Sequence, residues 1–316
     1  METINILCAT DENYAPYCGI MLTSLFESNK DCYFVVYIFQ DGSVTEVNVR
    51  KYERLAEKYG NEIVLKTIDE SVVKGFSIDE NSYITIPTYY RLLAATLLPA
   101  NINKVIYLDC DIVVVDSIKP LWDVNLEGKA LAVCEDCDYQ CHSKRMNLGE
   151  FSYFNAGVMV INLDYWRKHD LSLKFKNFNF DHPIGLLLMD QDILNGVCFD
   201  EKVWLPVRYN YMVSYFVKVL WTVYSEEKRR YYLNECNRAV VLHYAVEKPW
   251  NYRIYGGPFF SIWEKHRKKS LWRDCRNIKP FKKHIKHTVK RYLFPKSFRS
   301  QYPGWVVSSE NEKYYK

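Results

Sequence analysis

The chain has 316 residues, 48% of them hydrophobic and 25% charged, with 42 Lys+Arg set against 38 Asp+Glu. This balance excludes a disordered tail protein, a collagen-like fibre and a membrane bundle. A formal net charge of +4 is too small to indicate nucleic acid, and no such partner is expected. The aromatic content of 16%, with 26 Tyr and 8 Trp, suits carbohydrate or interfacial surfaces.

Ile4-Asn5-Ile6-Leu7-Cys8-Ala9 is a short run of strand formers that ends in the polar Thr10-Asp11-Glu12-Asn13. A helix is expected after Pro16, through Leu22, Leu25 and Phe26, then a strand from Tyr33 to Phe39. Thr45 to Tyr59 places Val49, Tyr52, Leu55 and Ala56 on one helical face, and Ile63-Val64-Leu65 reads as a strand. Strands alternating with helices predict an α/β domain with a mostly parallel, Rossmann-like sheet flanked by helices. Tyr89 to Leu98 reads as a helix closed by Pro99, followed by the buried strand Lys104 to Leu108. Composition then divides the chain. Residues 265–316 hold 16 Lys/Arg and 3 acids, a net of +13, and residues 1–264 hold 26 and 35, a net of −9. A globular body over 1–264 and a basic, aromatic C-terminal appendage over 265–316 are expected.

Met1 to Tyr14 lacks the basic-then-apolar layout of an export signal, so a reducing cytoplasmic setting is expected, with cysteines serving as small buried hydrophobes. The apolar run Pro183 to Met189 is stopped by Asp190, short of a membrane span. Cys134, Cys137, Cys141 and His142 invite a zinc reading. Their irregular spacing and the adjacent Cys141-His142 pair argue against one tetrahedral ion, and a strand end and loop is the preferred reading.

The chemistry concentrates at Val105 to Asp111. A nearly all-apolar strand ending in Asp109-Cys110-Asp111 puts two carboxylates at the carboxyl edge of a parallel sheet, where α/β proteins bind ligands. Residues i and i+2 of an extended strand face the same way, so both acids could share one hard cation, Mg²⁺ or Mn²⁺, that in turn holds a diphosphate. The alternative is two solvated acids at a strand end. Phe154 to Asn162 is an apolar strand with an amide at each end, and Asp190-Gln191-Asp192 opens a helix. His243 closes the strand Ala239 to Leu242, ahead of Lys248-Pro249-Trp250: a metal ligand and a phosphate-neutralising cation if they meet the carboxylates.

Taken in order, these segments resemble glycosyltransferase family 8, which includes glycogenin and bacterial lipopolysaccharide and lipooligosaccharide α-galactosyl- and α-glucosyltransferases. The resemblance runs from Ile4 to Trp250 through Ala9-Thr10-Asp11-Glu12-Asn13-Tyr14, Tyr90-Arg91-Leu92, Tyr107 to Asp111, Phe154-Asn155-Ala156-Gly157, Asp190 to Asn195, and His243 with Lys248-Pro249-Trp250. It implies a GT-A fold, a UDP-sugar donor, Mn²⁺ (or Mg²⁺) and transfer with retention. Carried over by position, it implies a uridine pocket from Ala9, Asp11, Asn13 and Tyr14. Arg91 would reach the donor, and Asp109, Asp111 and His243 would hold the metal. Asn155, Asp190 and Gln191 would hold the donor sugar, and Lys248 would pair with the diphosphate. The segment between His243 and Lys248 is one residue shorter than the family's usual spacing and has no Gly.

The expected function is therefore a retaining hexosyltransferase acting on a glycan or glycolipid in lipopolysaccharide, capsule or other cell-surface glycan synthesis. Same-face attack by the acceptor is favoured over a covalent intermediate, because Gln191 is a poor nucleophile and Asp190 serves only if geometry allows. A sugar-nucleotidyltransferase would call for a Gly-rich basic loop where Asp11-Glu12 stands, and an inactive sugar-nucleotide or glycan-binding protein would tolerate loss of Asp109, Asp111 or His243. In the appendage Phe281, Ile285, Val289 and Tyr292 recur at helical spacing among Lys282, Lys283, Lys286, Lys290 and Arg291. This basic helical tail is expected to meet an anionic membrane surface, holding the protein at the inner face of the cell membrane. A solvated tail, or docking on the acidic body, is the alternative.

Overall fold

A computed structural model describes residues 2–74, 76, 86–149, 151–182, 186–216, 218–245, 248–251 and 259–275. The basic helix expected over 281–292, and with it the membrane-facing part of the appendage, lies outside the described residues.

The alternation of strand and helix is realised in order. β1 (Thr3–Thr10), α1 (Ala15–Ser28), β2 (Tyr33–Gln40), α2 (Glu46–Tyr59) and β3 (Glu62–Thr67) follow one another. A 3₁₀ segment, Ile86–Leu93, leads into the short α3 (Ala94–Leu97), then β4 (Lys104–Leu108), β5 (Ile112–Val114) and α4 (Lys119–Trp122). β6 (Leu131–Glu135), α5 (Tyr139–Arg145), β7 (Phe154–Asn162), α6 (Leu163–Lys168), α7 (Leu171–Asp181), α8 (Asp190–Val197) and β8 (Lys202–Trp204) come next. β9 (Tyr211–Met212), α9 (Lys218–Val223), α10 (Glu226–Cys236), β10 (Val241–His243) and α11 (Phe260–Lys269) complete the described chain. None of these helices is long and apolar enough to cross a membrane.

The chain forms two compact units. The first comprises Met1–Gly19, Asn29–Cys110 and Ile118–Leu205. Its seven strands run in the order β3-β2-β1-β4-β7-β6-β8. β7 is antiparallel to both β4 and β6, and every other pairing is parallel. β7 is buried from Phe154 to Ile161, and so reads as one continuous apolar run rather than an alternating one. After β1 the chain goes outward to β2 and β3, then returns to lay β4 on the other side of β1, pairing Leu7 with Tyr107. The carboxyl ends of β1 and β4 thus flank a topological switch point, the place where open α/β sheets take their ligands.

The second unit comprises Ile20–Ser28, Asp111–Ser117 and Pro206–Lys316. Its sheet has the order β5-β10-β9, with His243 on β10 registered between Ile112 and Met212. Several tyrosines pack its core. Tyr215 stacks on Tyr232 at 4.3 Å, and the Tyr211 hydroxyl donates to the Tyr232 carbonyl at 2.8 Å, satisfying its polar tip inside the core.

Two local expectations change. The helix anticipated over Tyr89 to Leu98 is a 3₁₀ segment over Ile86–Leu93, with only Ala94–Leu97 α-helical. Pro87 and every residue from Tyr89 to Leu93 are buried, so tertiary packing on all sides overrides the helical period. Asp109 and Asp111 do not sit on an extended strand either. Residues 109–111 turn the chain out of β4, in the first unit's sheet, and into β5, in the second's. None of the ten cysteines is in a disulfide; Cys134 and Cys137 are buried and Cys141 is exposed.

Candidate active site

In the first unit the site begins at the end of β1. Asp11 is buried, and its Oδ1 accepts the Tyr14 N–H at 2.8 Å, which closes the turn that starts α1. Asn13 is exposed, and Tyr14 is 36% exposed with its ring edge-on to Tyr17. Glu12 ties this turn to the start of α2: its Oε2 accepts the Thr45 N–H at 2.8 Å and its Oε1 accepts from Asn48 Nδ2 at 2.9 Å. The Ala9 carbonyl accepts the Cys110 thiol at 3.2 Å, fastening the β1 end to the turn that carries the two aspartates.

Arg91 is the hub. Its Nη2 donates to Asp109 Oδ1 at 2.8 Å, its Nε lies 3.1 Å from Asp190 Oδ2, and its Nη1 donates to the Ala156 carbonyl at 2.8 Å. The guanidinium also lies 4.3 Å from the centre of the Tyr107 ring, whose hydroxyl donates to Asp109 Oδ1 at 2.9 Å. A buried cation satisfied this way needs planar, forked geometry, which arginine has and lysine lacks. Burial raises the Asp190 carboxyl to about 7, with Arg91 opposing that rise and Asp109 adding to it.

The Ala156 peptide joins this cluster to a second one. Gln191 Oε1 accepts the Ala156 N–H at 2.9 Å and also accepts from Asn155 Nδ2 at 3.1 Å. Asn155 Nδ2 reaches Asp136 Oδ2 at 3.2 Å, and Gln191 Nε2 reaches the same oxygen at 3.4 Å. Asp136 therefore sets which way both amides point. Sequence reasoning missed it, although its place one residue beyond β6, at the same sheet edge as Asp109, was the available signal.

In the second unit Asp111 meets His243 and Lys248. His243 Nε2 lies 3.3 Å from Asp111 Oδ1, and the Lys248 ammonium donates to Asp111 Oδ2. Lys248 also donates to the carbonyls of Tyr244, at 2.9 Å, and Ala245, at 3.1 Å. Burial works against ionising Asp111, but Lys248 and His243 hold its carboxyl well below the usual carboxylate range. His243 Nδ1 is 2.8 Å from Asn210 Oδ1. An amide oxygen only accepts, so Nδ1 carries a hydrogen, and Nε2 is the ring nitrogen turned toward the carboxylate. Nε2 is therefore the nitrogen that would meet a metal, and Asn210 is the partner that orients the ring. No spacing in the sequence marked Asn210.

Two carboxylates and an imidazole form a donor set suited to a divalent cation. Asp111 and His243 are in contact, and Asp109 precedes Asp111 by two residues in the chain. These three are the candidate ligands among the described residues.

A parallel-dominated sheet with carboxylates at its switch point and a carboxylate–amide cluster beside them is the arrangement of a GT-A glycosyltransferase. The solved galactosyltransferase LgtC, in complex with donor and acceptor sugar analogs, superposes with a TM-score of 0.74 at 25% identity, covering 86% of this chain and 99% of that one. Residues 5–253 match Glycosyl transferase family 8, and the chain belongs to that family. Among its relatives are a lipopolysaccharide 1,2-glucosyltransferase of Escherichia coli, 32% identical over 94% of this chain and 88% of that protein. General stress protein A of Bacillus subtilis strain 168 is 31% identical over 79% of this chain and 88% of its own length.

Proposed function

We propose that the protein is a retaining hexosyltransferase that moves galactose or glucose from a UDP-sugar to a hydroxyl of a glycan or glycolipid, in lipopolysaccharide, capsule or other cell-surface glycan synthesis. The observation that carries this reading is Arg91 bridging Asp109, a candidate metal ligand, to Asp190, which adjoins the Asn155–Gln191 amide pair. The names of the relatives, a glucosyltransferase and a galactosyltransferase among them, support a hexose donor and a cell-surface acceptor.

In this reading Asp11, Asn13 and Tyr14, with Ala9 behind them, receive the uridine, and the exposed Tyr14 ring stacks on the base. Asn155, Asp190 and Gln191 hold the donor sugar. Arg91 keeps Asp109 and Asp190 in register. Asp109, Asp111 and His243 hold Mn²⁺, or Mg²⁺, which when bound supplies positive charge for the diphosphate leaving group. Lys248 adds a second positive charge for the same group. The acceptor hydroxyl attacks C1 from the face that UDP leaves, and the departing phosphate oxygen takes its proton, so the configuration is retained without a covalent sugar–enzyme bond. Residues 265–316 hold the protein against an anionic membrane surface at the inner face of the cell membrane, near a lipid-linked acceptor.

The test is a panel of UDP-hexoses with Mn²⁺, Mg²⁺ or EDTA, read as UDP release. Release from one UDP-hexose that stops in EDTA supports the proposal. Binding without turnover of any UDP-sugar would identify a binding protein, and pyrophosphate release from UTP and a sugar phosphate would identify a nucleotidyltransferase.

A further inference from the structure

The first turn of α8 carries a second carboxylate, Asp192, that takes no part in the network above. It is fully buried. Both of its oxygens are saturated. Arg145 grips it with both terminal nitrogens, Nη1 to Oδ2 at 2.9 Å and Nη2 to Oδ1 at 2.6 Å. The Tyr153 hydroxyl donates to Oδ1 at 2.5 Å, and the Leu188 N–H donates to Oδ2 at 3.0 Å. Burial and the neighbouring Asp192 carboxylate hold the Tyr153 hydroxyl far above its ordinary pKa, so it remains a donor.

The Leu188 contact shows what this arrangement restrains. It closes the turn around Met189, whose φ of 42° and ψ of −109° lie in a region that side-chain-bearing residues avoid. Asp190 and Gln191 are the next two residues. If Met189 relaxed to an ordinary conformation, the direction of both side chains would change. Arg145 ends α5, and Asp136, just before α5, takes the Gln191 amide. α5 is therefore tied to the start of α8 at both of its ends.

We propose that Arg145, acting through Asp192, is a positioning residue for the transfer step: it holds the strained Met189 turn that aims Asp190 and Gln191. This rests on the reading of those two residues as the donor-sugar site. The forked pair matters because a buried carboxylate stripped of its counter-charge would no longer fix the turn.

The experiment compares Arg145→Met, Arg145→Lys, Asp192→Asn and the Arg145→Met/Asp192→Asn double variant in the full chain. UDP release from UDP-galactose and UDP-glucose is measured alongside thermal unfolding. Arg167→Met is the control for simple destabilisation, since Arg167 donates to the Ala95 and Ile102 carbonyls away from the site. Arg145→Met and Asp192→Asn should lower kcat on the order of 100-fold, as expected for displaced reacting groups. The donor KM should stay within about threefold, and the double variant should be no worse than either single, because the two residues act as one unit. Arg145→Lys keeps the charge without the fork and should lose about 10-fold in kcat with little change in Tm, so the test survives if the Met variant does not fold. Arg167→Met should lower Tm and leave kcat unchanged. A kcat within twofold of the parent for Arg145→Lys, or additive losses in the double variant, overturns the proposal. Asp190→Asn separates the two readings: if it is inactive while the Arg145 variants are fully active, only the positioning role fails, and if it is fully active, the donor-site reading fails and the positioning role with it.

Discussion

Arg91 Nε stands 3.1 Å from Asp190 Oδ2, inside a site that buries both side chains. The same guanidinium holds Asp109 and the Ala156 carbonyl, so one side chain sets three groups at once. Arg91→Lys keeps the charge but cannot reach all three. Its transfer rate should fall on the order of 100-fold with the fold intact, because an ammonium is a point charge and not a planar fork. UDP release set beside a thermal melt is the check; a near-normal rate would remove Arg91 from the site.

Asn210 fixes the His243 ring through Nδ1. Asn210→Ala should weaken the response to added Mn²⁺ by about 10- to 100-fold, the usual effect of losing a partner that orients a ligand. A Mn²⁺ titration of UDP release measures this. An unchanged midpoint would mean that His243 is not held for a metal.

Lys248 is the ammonium that keeps Asp111 ionised in a buried setting. Lys248→Met should abolish most transfer, on the order of 100-fold or more, since it removes positive charge both from Asp111 and from the leaving group. Activity retained at high Mn²⁺ would show that the metal alone is sufficient.

His266 on α11 is buried, and burial, with Lys265 and Lys269 adding to it, pushes its pKa down to about 4 from an ordinary 6.5. The unfolded chain therefore binds a proton that the folded chain refuses between these values. Stability is complete above pH 6.5 and falls as pH drops toward 4, by up to about 3 kcal/mol from this group. Thermal melts from pH 7.5 to 4.5 should show the decline, and His266→Asn should flatten it.

Gly60 ends α2 with φ at 65°, and its N–H turns back to the last carbonyls of the helix. Nothing lies within 4 Å of a Cβ placed there, so Gly60→Ala adds backbone strain and no clash. It should cost about 1 kcal/mol in a thermal melt and leave the transfer rate unchanged.

How far the site was legible in advance varies residue by residue. Asp109, Asp111 and His243 declared themselves by standing at the ends of apolar strands, and a strand end at a sheet's carboxyl edge is a local feature. Asn155 and Gln191 were visible as amides within recognisable segments. Asp136, Asn210 and Arg145 were not, because each acts on a residue at least 33 positions away and none belongs to a local pattern. The turn in the backbone at residues 109–111 was not visible for a related reason. A strand pattern says nothing about where the chain leaves one sheet to join another.

The amino-acid sequence alone determined the alternation of strands and helices, the apolar strands of the first sheet, and the set of polar residues from which a site could be made. Each of these depends on periodicity and turn chemistry within a few residues. Tertiary structure decided which of those polar groups meet. The return of β4 to the far side of β1, the pairing of β10 with β5 and the docking of Arg91 and Arg145 on buried carboxylates are long-range events. Their energies come from burial and charge pairing, which no local stretch of chain encodes.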